Sequence, residues 1–267
     1  MSKIKVAMFP LDIRQADKSR NLTAVQNVAD SLDSDTDILA LPELFTTGFI
    51  KDKEEASFLA ESTDGPTMTA LRQIASSRRI AVCGSFICRA NDGTLRNRAF
   101  FINPDTTGDN ATIYYDKHHL FVLSDEKRIF EAGDAVPPVT FFRGWNIAIT
   151  VCYDLRFPVW MRNNDNRYDM MIVAANWPDS RGYAWKSLLV ARAIENQAVY
   201  LGVNRSGKDD FGSYSRDLTT GVDELGNLSK ETTDDMRLFF YYLWIYEIYT
   251  LRHRFPVHLN ADRYKLI

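Results

Sequence analysis

Two runs near the middle of the chain, 147–151 and Met170–Ala175, carry no charged residue on either face. Side chains alternate sides along a strand, so strands of this kind must be covered on both sides. The helix-like stretch that follows, 183–196, places Leu188, Ala191, Ile194 and, just beyond, Ala198 along one side, and supplies one such cover. The same alternation runs from end to end. Strand-like runs are read at 4–8, 37–41, 80–87, 97–102, 112–115, 200–203 and 238–243, and helices at 20–32 and 67–77, the latter with Pro66 close to its start. Asn91-Asp92-Gly93 marks a turn joining 80–87 to 97–102. There is no repeat, low-complexity tract or Gly/Ser linker. The expectation is one layered α/β domain spanning 1–267.

Composition narrows the function. The 267 residues carry a net charge of −3, so the basic footprint of a nucleic-acid binder is missing. The start, Met-Ser-Lys-Ile-Lys-Val-Ala-Met-Phe-Pro, lacks the apolar run of a secretory signal, and the longest apolar run, 238–245, is too short to span a bilayer. The three cysteines, Cys83, Cys88 and Cys152, are too few and odd in number for a disulfide framework and fit a reducing cytoplasm. Cys83 and Cys88 lie an odd number of residues apart on one strand, so they point to opposite faces and make a poor metal pair. They read as packing residues.

Cys152 is different. The run Trp145–Val151 stops there, and the chain turns polar in Tyr153-Asp154-Leu155-Arg156. A thiol at the edge of an open α/β sheet stands where active sites form. It attacks carbonyl carbon as thiolate, and its ordinary pKa near 8.5 leaves little thiolate at neutral pH. It therefore needs a base, a positive neighbour, or both. Two other strand ends offer them: Leu41-Pro42-Glu43 and Tyr115-Asp116-Lys117. Glu43 can accept the thiol proton, and Lys117 can hold the thiolate and then the oxyanion. The backbone N–H of Tyr153, directly after the thiol, is a second oxyanion donor. Taken singly, each residue has an ordinary structural reading: a packed cysteine, a solvated turn glutamate, a surface lysine.

Taken together, Leu41-Pro42-Glu43, Tyr115-Asp116-Lys117-His118-His119-Leu120-Phe121 and Val151-Cys152-Tyr153-Asp154-Leu155-Arg156-Phe157-Pro158 resemble the nitrilase superfamily of carbon–nitrogen hydrolases. The likeness continues through Ala175-Asn176-Trp177-Pro178, Arg181, Trp185, the helix Ala191-Arg192-Ala193-Ile194-Glu195-Asn196-Gln197 and Gly202-Val203-Asn204-Arg205-Ser206-Gly207. Cys-Tyr-Asp-Leu-Arg-Phe-Pro-Val-Trp together with Asn-Trp-Pro is especially similar to the omega-amidase branch. The resemblance implies a four-layer α-β-β-α sandwich of mixed sheets covered by helices, paired as a homodimer or built into a higher homo-oligomer. It implies Glu43 as general base, Lys117 as stabiliser of the intermediate, Cys152 as nucleophile, and Glu126 as a second glutamate orienting Lys117 or the substrate amide. No metal or organic cofactor is needed.

The activity so implied is cysteine-dependent hydrolysis of a non-peptide amide, releasing ammonia through a thioester, with a short dicarboxylate monoamide such as 2-oxoglutaramate as substrate. Its free carboxylate calls for a fixed cation. Arg156 is the first choice, because a guanidinium can grip a carboxylate with two parallel bonds; the competing reading pairs it with Asp154. Arg181 is the second choice, and Trp177 the apolar wall. Alternatives are an N-carbamoyl amine or aliphatic amide hydrolase of the same superfamily, a Cys–His hydrolase using His118 or His119, and a non-catalytic binding member. Two departures bear on the pocket rim. Tyr214-Ser215-Arg216-Asp217-Leu218 carries Arg216 where similar chains have glycine, and Asp223-Glu224-Leu225-Gly226 lacks a proline common in that turn.

Overall fold

The computed structural model describes every residue except 1, 230, 233–237, 263 and 265–267. The described strands are, in chain order, β1 (Lys3–Met8), β2 (Ile38–Ala40), β3 (Ala81–Arg89), β4 (Leu95–Ile102), β5 (Thr112–Asp116), β6 (Val139–Phe142), β7 (Trp145–Val151), β8 (Met170–Ala175), β9 (Val199–Asn204), β10 (Gly207–Asp209), β11 (Gly212–Tyr214), β12 (Thr220–Val222), β13 (Leu228–Ser229), β14 (Glu231–Thr232) and β15 (Phe239–Trp244). The α-helices are α1 (Lys18–Ser31), α2 (Lys53–Leu59), α3 (Pro66–Arg78), α4 (Glu126–Ile129), α5 (Gly182–Asn196) and α6 (Ile245–Arg254).

Two mixed sheets form. The first runs β14-β15-β1-β2-β3-β4-β5 and the second β13-β12-β9-β8-β7-β6. In each, a parallel trio lies at the centre, β1-β2-β3 and β7-β8-β9, with antiparallel strands outside it. That placement follows from the sequence: the residues of β8 are all buried, as strands covered on both faces must be. The sheets pack face to face. Phe101 of β4 meets Phe142 of β6 edge-to-face at 5.8 Å, and a Cβ on Gly221 of β12 would lie 2.4 Å from the Tyr241 ring of β15. Only glycine permits that approach.

Helices close the outer faces. Val25, Val28, Met68, Leu71 and Ile74 of α1 and α3 join Leu39, Val82 and Phe100 of the first sheet in one apolar cluster. On the far side, Trp185 and Leu189 of α5 lie against β9, where a Cβ on Gly202 would come within 2.6 Å of both. The order is α-β-β-α, the architecture expected. Burying each large apolar side chain in these layers contributes roughly 1.5–3 kcal/mol. Among the described residues no helix is long and apolar enough to cross a membrane.

Two sequence readings need correction. The inward face of α5 is Trp185, Leu189, Arg192, Ala193 and Asn196, whereas Ala191 is exposed and Ile194 is 50% exposed; Leu188 packs only partly. The face is shifted because two polar residues belong to it. Arg192 Nε donates to the Leu155 carbonyl (3.1 Å), and Asn196 Oδ1 accepts from the Asn163 N–H (2.9 Å). The strand read at 238–243 is present as β15, Phe239–Trp244, and α6 begins directly after it at Ile245. Secondly, α2 was not read from the sequence, although Asp52 caps it by accepting from the Glu55 N–H at 2.8 Å. Cys83 and Cys88 do sit on opposite faces of β3, one in the inter-sheet core and one under the helices. Burial raises the Cys88 thiol to about 11 and that of Cys83 further.

Candidate active site

Three strand ends converge. β2 ends before Leu41-Pro42, and the chain turns at once through Glu43 and Leu44, whose φ is +45°. β5 hands directly to Lys117, whose N–H is tied to the Asn97 carbonyl of β4 (3.0 Å). β7 ends at Val151, and Cys152 opens a tight helical turn, Cys152–Arg156, with φ of +43°. A cysteine in the left-handed region is strained by roughly 1–2 kcal/mol. The turn persists because Asp154, fully buried, anchors it. Asp154 Oδ2 accepts from the Tyr115 hydroxyl (2.7 Å), the Thr150 hydroxyl (3.1 Å) and the Val151 N–H (3.4 Å), while Oδ1 accepts from the His119 N–H (2.9 Å).

Glu43, Lys117 and Glu126 are all buried. Lys117 Nζ donates to Glu43 Oε1 (2.9 Å) and to Glu126 Oε1 (2.7 Å). Glu43 Oε1 also accepts from Asn97 Nδ2 (2.8 Å), and Oε2 from the Asn176 N–H (2.9 Å). Glu126, the first residue of α4, is fixed through Oε2 by the Phe121 N–H (2.6 Å). Burial works against the charge on Lys117, but Glu126 and Glu43 overcome it and hold the ammonium well above its ordinary pKa. Burial, with Glu43's charge adding to it, raises Glu126 despite Lys117. Burial and then Glu43 drive the Cys152 thiol well above its ordinary value, against the pull of Lys117 and the Asn176 N–H. The resting cysteine is therefore a thiol with a carboxylate and an ammonium in its field.

A cavity of about 250 Å³ opens over these groups. It is lined by Glu43, Lys117, Glu126, Cys152, Tyr153, Arg156, Trp177 and Arg181, the residues given catalytic, oxyanion and substrate-binding roles from the sequence. The Tyr153 N–H, in the first turn after the thiol, has no acceptor among the described residues. The Arg156 guanidinium lies over the Trp177 ring at 4.9 Å. It has no acidic partner among the described residues, and Asp154 is taken up by the contacts above. The Arg156–Asp154 pair is thus excluded. Arg181 is exposed and lies over the Phe121 ring at 5.1 Å. Trp177 is held by Asn204, which accepts from its N–H (2.7 Å) and donates to its carbonyl (2.8 Å).

The two histidines belong elsewhere. His118 stacks on Trp160 and His119 on Phe157, each at 3.6 Å, and both line a different hollow. A Cys–His pairing at Cys152 is excluded by that placement. Among the described residues no three His, Cys, Asp or Glu side chains converge in a metal-holding arrangement. Of the first departure, Tyr214 lines the cavity, whereas Arg216 faces another cleft; of the second, Asp223 and Glu224 line a separate hollow that does not include Cys152. Two contributors were not foreseen. Asn97 links Glu43 to Ser85, whose hydroxyl donates to Asn97 Oδ1 (2.9 Å). Asn176 lines the cavity with Nδ2 and Oδ1 both lacking a partner. Its presence in Ala-Asn-Trp-Pro at a strand end was the available signal.

Comparison with known proteins agrees with this geometry. The carbon–nitrogen hydrolase family model matches residues 5–237. The chain is 34% identical to omega-amidase YafV of Yersinia enterocolitica over 100% of both chains. It is 37% identical to omega-amidase YafV of Escherichia coli strain K12 over 86% of each. Among solved structures it superposes on XC1258 of Xanthomonas campestris, described as a CN-hydrolase superfamily protein with an arsenic adduct in its active site, with a TM-score of 0.91 at 33% identity and full coverage of both chains.

Proposed function

The chain belongs to the carbon–nitrogen hydrolase family, and on that premise we propose that it hydrolyses the side-chain amide of short dicarboxylate monoamides, with 2-oxoglutaramate as the representative substrate. The observation that carries this reading is the Arg156 guanidinium, without an acidic partner among the described residues and set over Trp177 in the same small cavity as Cys152, Glu43 and Lys117. A cation there receives the substrate's far carboxylate, and the indole covers its short carbon chain. The omega-amidase relatives support the same substrate class.

The cycle follows from the contacts. Glu43 Oε takes the Cys152 proton as Sγ attacks the amide carbon. The raised thiol pKa means that this transfer accompanies attack rather than preceding it. Lys117 Nζ and the Tyr153 N–H hold the oxyanion. The tetrahedral species collapses, the C–N bond breaks, and ammonia departs with the proton held on Glu43, leaving a thioester. Water then gives a proton to Glu43 and adds to the thioester. Sγ leaves, recovers its proton, and the dicarboxylate is released. Glu126 keeps Lys117 aimed.

The same proposal takes 1–267 as one catalytic unit acting as a cytoplasmic homodimer. Pairing of β15 with β1, which joins the two ends of the chain, supports the single unit. The test is ammonia release from 2-oxoglutaramate, succinamate, glutamine and an N-carbamoyl amino acid, by wild type and by Cys152→Ala. The first two substrates are expected to lead and the variant to be inert. Preference for the N-carbamoyl substrate would move the assignment to that class, and turnover by Cys152→Ala would end it.

A further inference from the structure

A second cleft, of about 300 Å³, lies outside the catalytic cavity and shares no residue with it. Its floor is apolar, from Phe9, Leu11 and Ala24. Its rim carries three guanidinium groups, Arg14, Arg20 and Arg216, against one carboxylate, Asp12. Arg14 Nη2 pairs with Asp12 Oδ2 at 3.1 Å. Arg20 and Arg216 have no acidic partner among the described residues, and the Nε and Nη2 atoms of Arg216 are buried with no acceptor.

The other polar groups in the cleft are already committed. Asn21 accepts from the Arg14 N–H and donates to the Arg14 and Thr46 carbonyls. The Ser206 hydroxyl donates to the Pro10 carbonyl and its N–H to Leu11. They hold the walls and leave nothing to satisfy Arg216. Buried donors without acceptors cost free energy, the more so when charged. A guanidinium presents its donors as a planar fork that matches paired oxygens.

We propose that this cleft binds a small oxyanion group, phosphate or carboxylate, which bridges Arg216 and Arg20. Asp12 keeps Arg14 to one side and limits the net charge the ligand meets. The ligand carries a short apolar part against Phe9, Leu11 and Ala24.

The test is calorimetric titration of the full chain with inorganic phosphate and, separately, with succinate. Both are done in the Arg156→Ala background, so that the catalytic cavity offers no carboxylate grip. Saturable binding of phosphate is expected, weakened about 10- to 100-fold by adding Arg216→Gln, the loss typical of a charged hydrogen bond. Arg20→Gln, at an exposed position, should weaken it in the same direction and guards against misfolding of the first variant. If succinate binds in this manner and phosphate does not, the group recognised is a carboxylate. Absence of saturable binding for both anions, or affinities indifferent to Arg216→Gln and Arg20→Gln, overturns the proposal.

Discussion

Replacing Glu126 by glutamine separates the support of Lys117 from the folding of its surroundings. Lys117 sits between two carboxylates, at 2.7 Å from Glu126 and 2.9 Å from Glu43. Glutamine keeps an oxygen for the Phe121 N–H but removes the charge. A hydrogen bond to a charged group contributes about 1.5–3 kcal/mol, and 1.36 kcal/mol is tenfold in rate, so kcat/KM should fall about 10- to 150-fold. Stability should move little, by about 1–2 kcal/mol at most, because a neutral amide no longer has to be stripped of water as an anion. The pH dependence has a definite sign. Burial raises the Glu126 pKa above 4.5 despite Lys117, so the folded chain holds that proton more tightly than the unfolded one. Wild type then loses stability relative to Glu126→Gln as pH rises from 4.5 through the folded-state value. The assays are ammonia release with kcat and KM resolved, and denaturant unfolding between pH 4 and 7. Unchanged turnover in the variant, or a stability gap that widens in favour of wild type with rising pH, would refute the reasoning.

Three further outcomes are expected. Arg156→Ala should raise KM for 2-oxoglutaramate about 10- to 100-fold while leaving a neutral amide such as propionamide nearly unaffected; equal losses on both substrates would place the carboxylate elsewhere. Asp154→Ala strands the donors of Tyr115, Thr150, Val151 and His119, and should cost about 3–5 kcal/mol, read by calorimetry as a melting point lower by roughly 10 °C. A melting point within error of wild type would show that the turn is held by other means. Alkylation of Cys152 by iodoacetamide should be slower at pH 7 than that of a free thiol and still climb beyond pH 9, as its raised pKa requires; a plateau below pH 7 contradicts it.

Of the residues proposed as catalytic, Glu43 and Cys152 were legible because each follows an apolar run that stops abruptly, as at Leu41-Pro42-Glu43 and Val151-Cys152. A polar group after a buried strand is already at the sheet edge, and no knowledge of packing is needed to put it there. Asn97 was not legible. It lies inside β4, and its value comes from β4 standing next to β5 and from Ser85 across the β3 pairing, which only registration of the strands decides. The α5 face was misjudged for a related reason. Counting apolar residues favours Ile194 and passes over Arg192, because the acceptor that permits Arg192 to be buried, the Leu155 carbonyl, is supplied by a segment 37 residues away. The short strands β10 to β14 carry too few residues for periodicity to mark them.

Glu43 and Lys117 emerge from one sheet, Cys152 and Asn176 from the other. On the proposed cycle each half-molecule holds an incomplete set of reagents, so a chain still being built, or one whose halves have come apart, has no means of breaking amides. Recovery of turnover after dilution from denaturant therefore times the meeting of the two halves, and should lag behind the return of far-ultraviolet ellipticity.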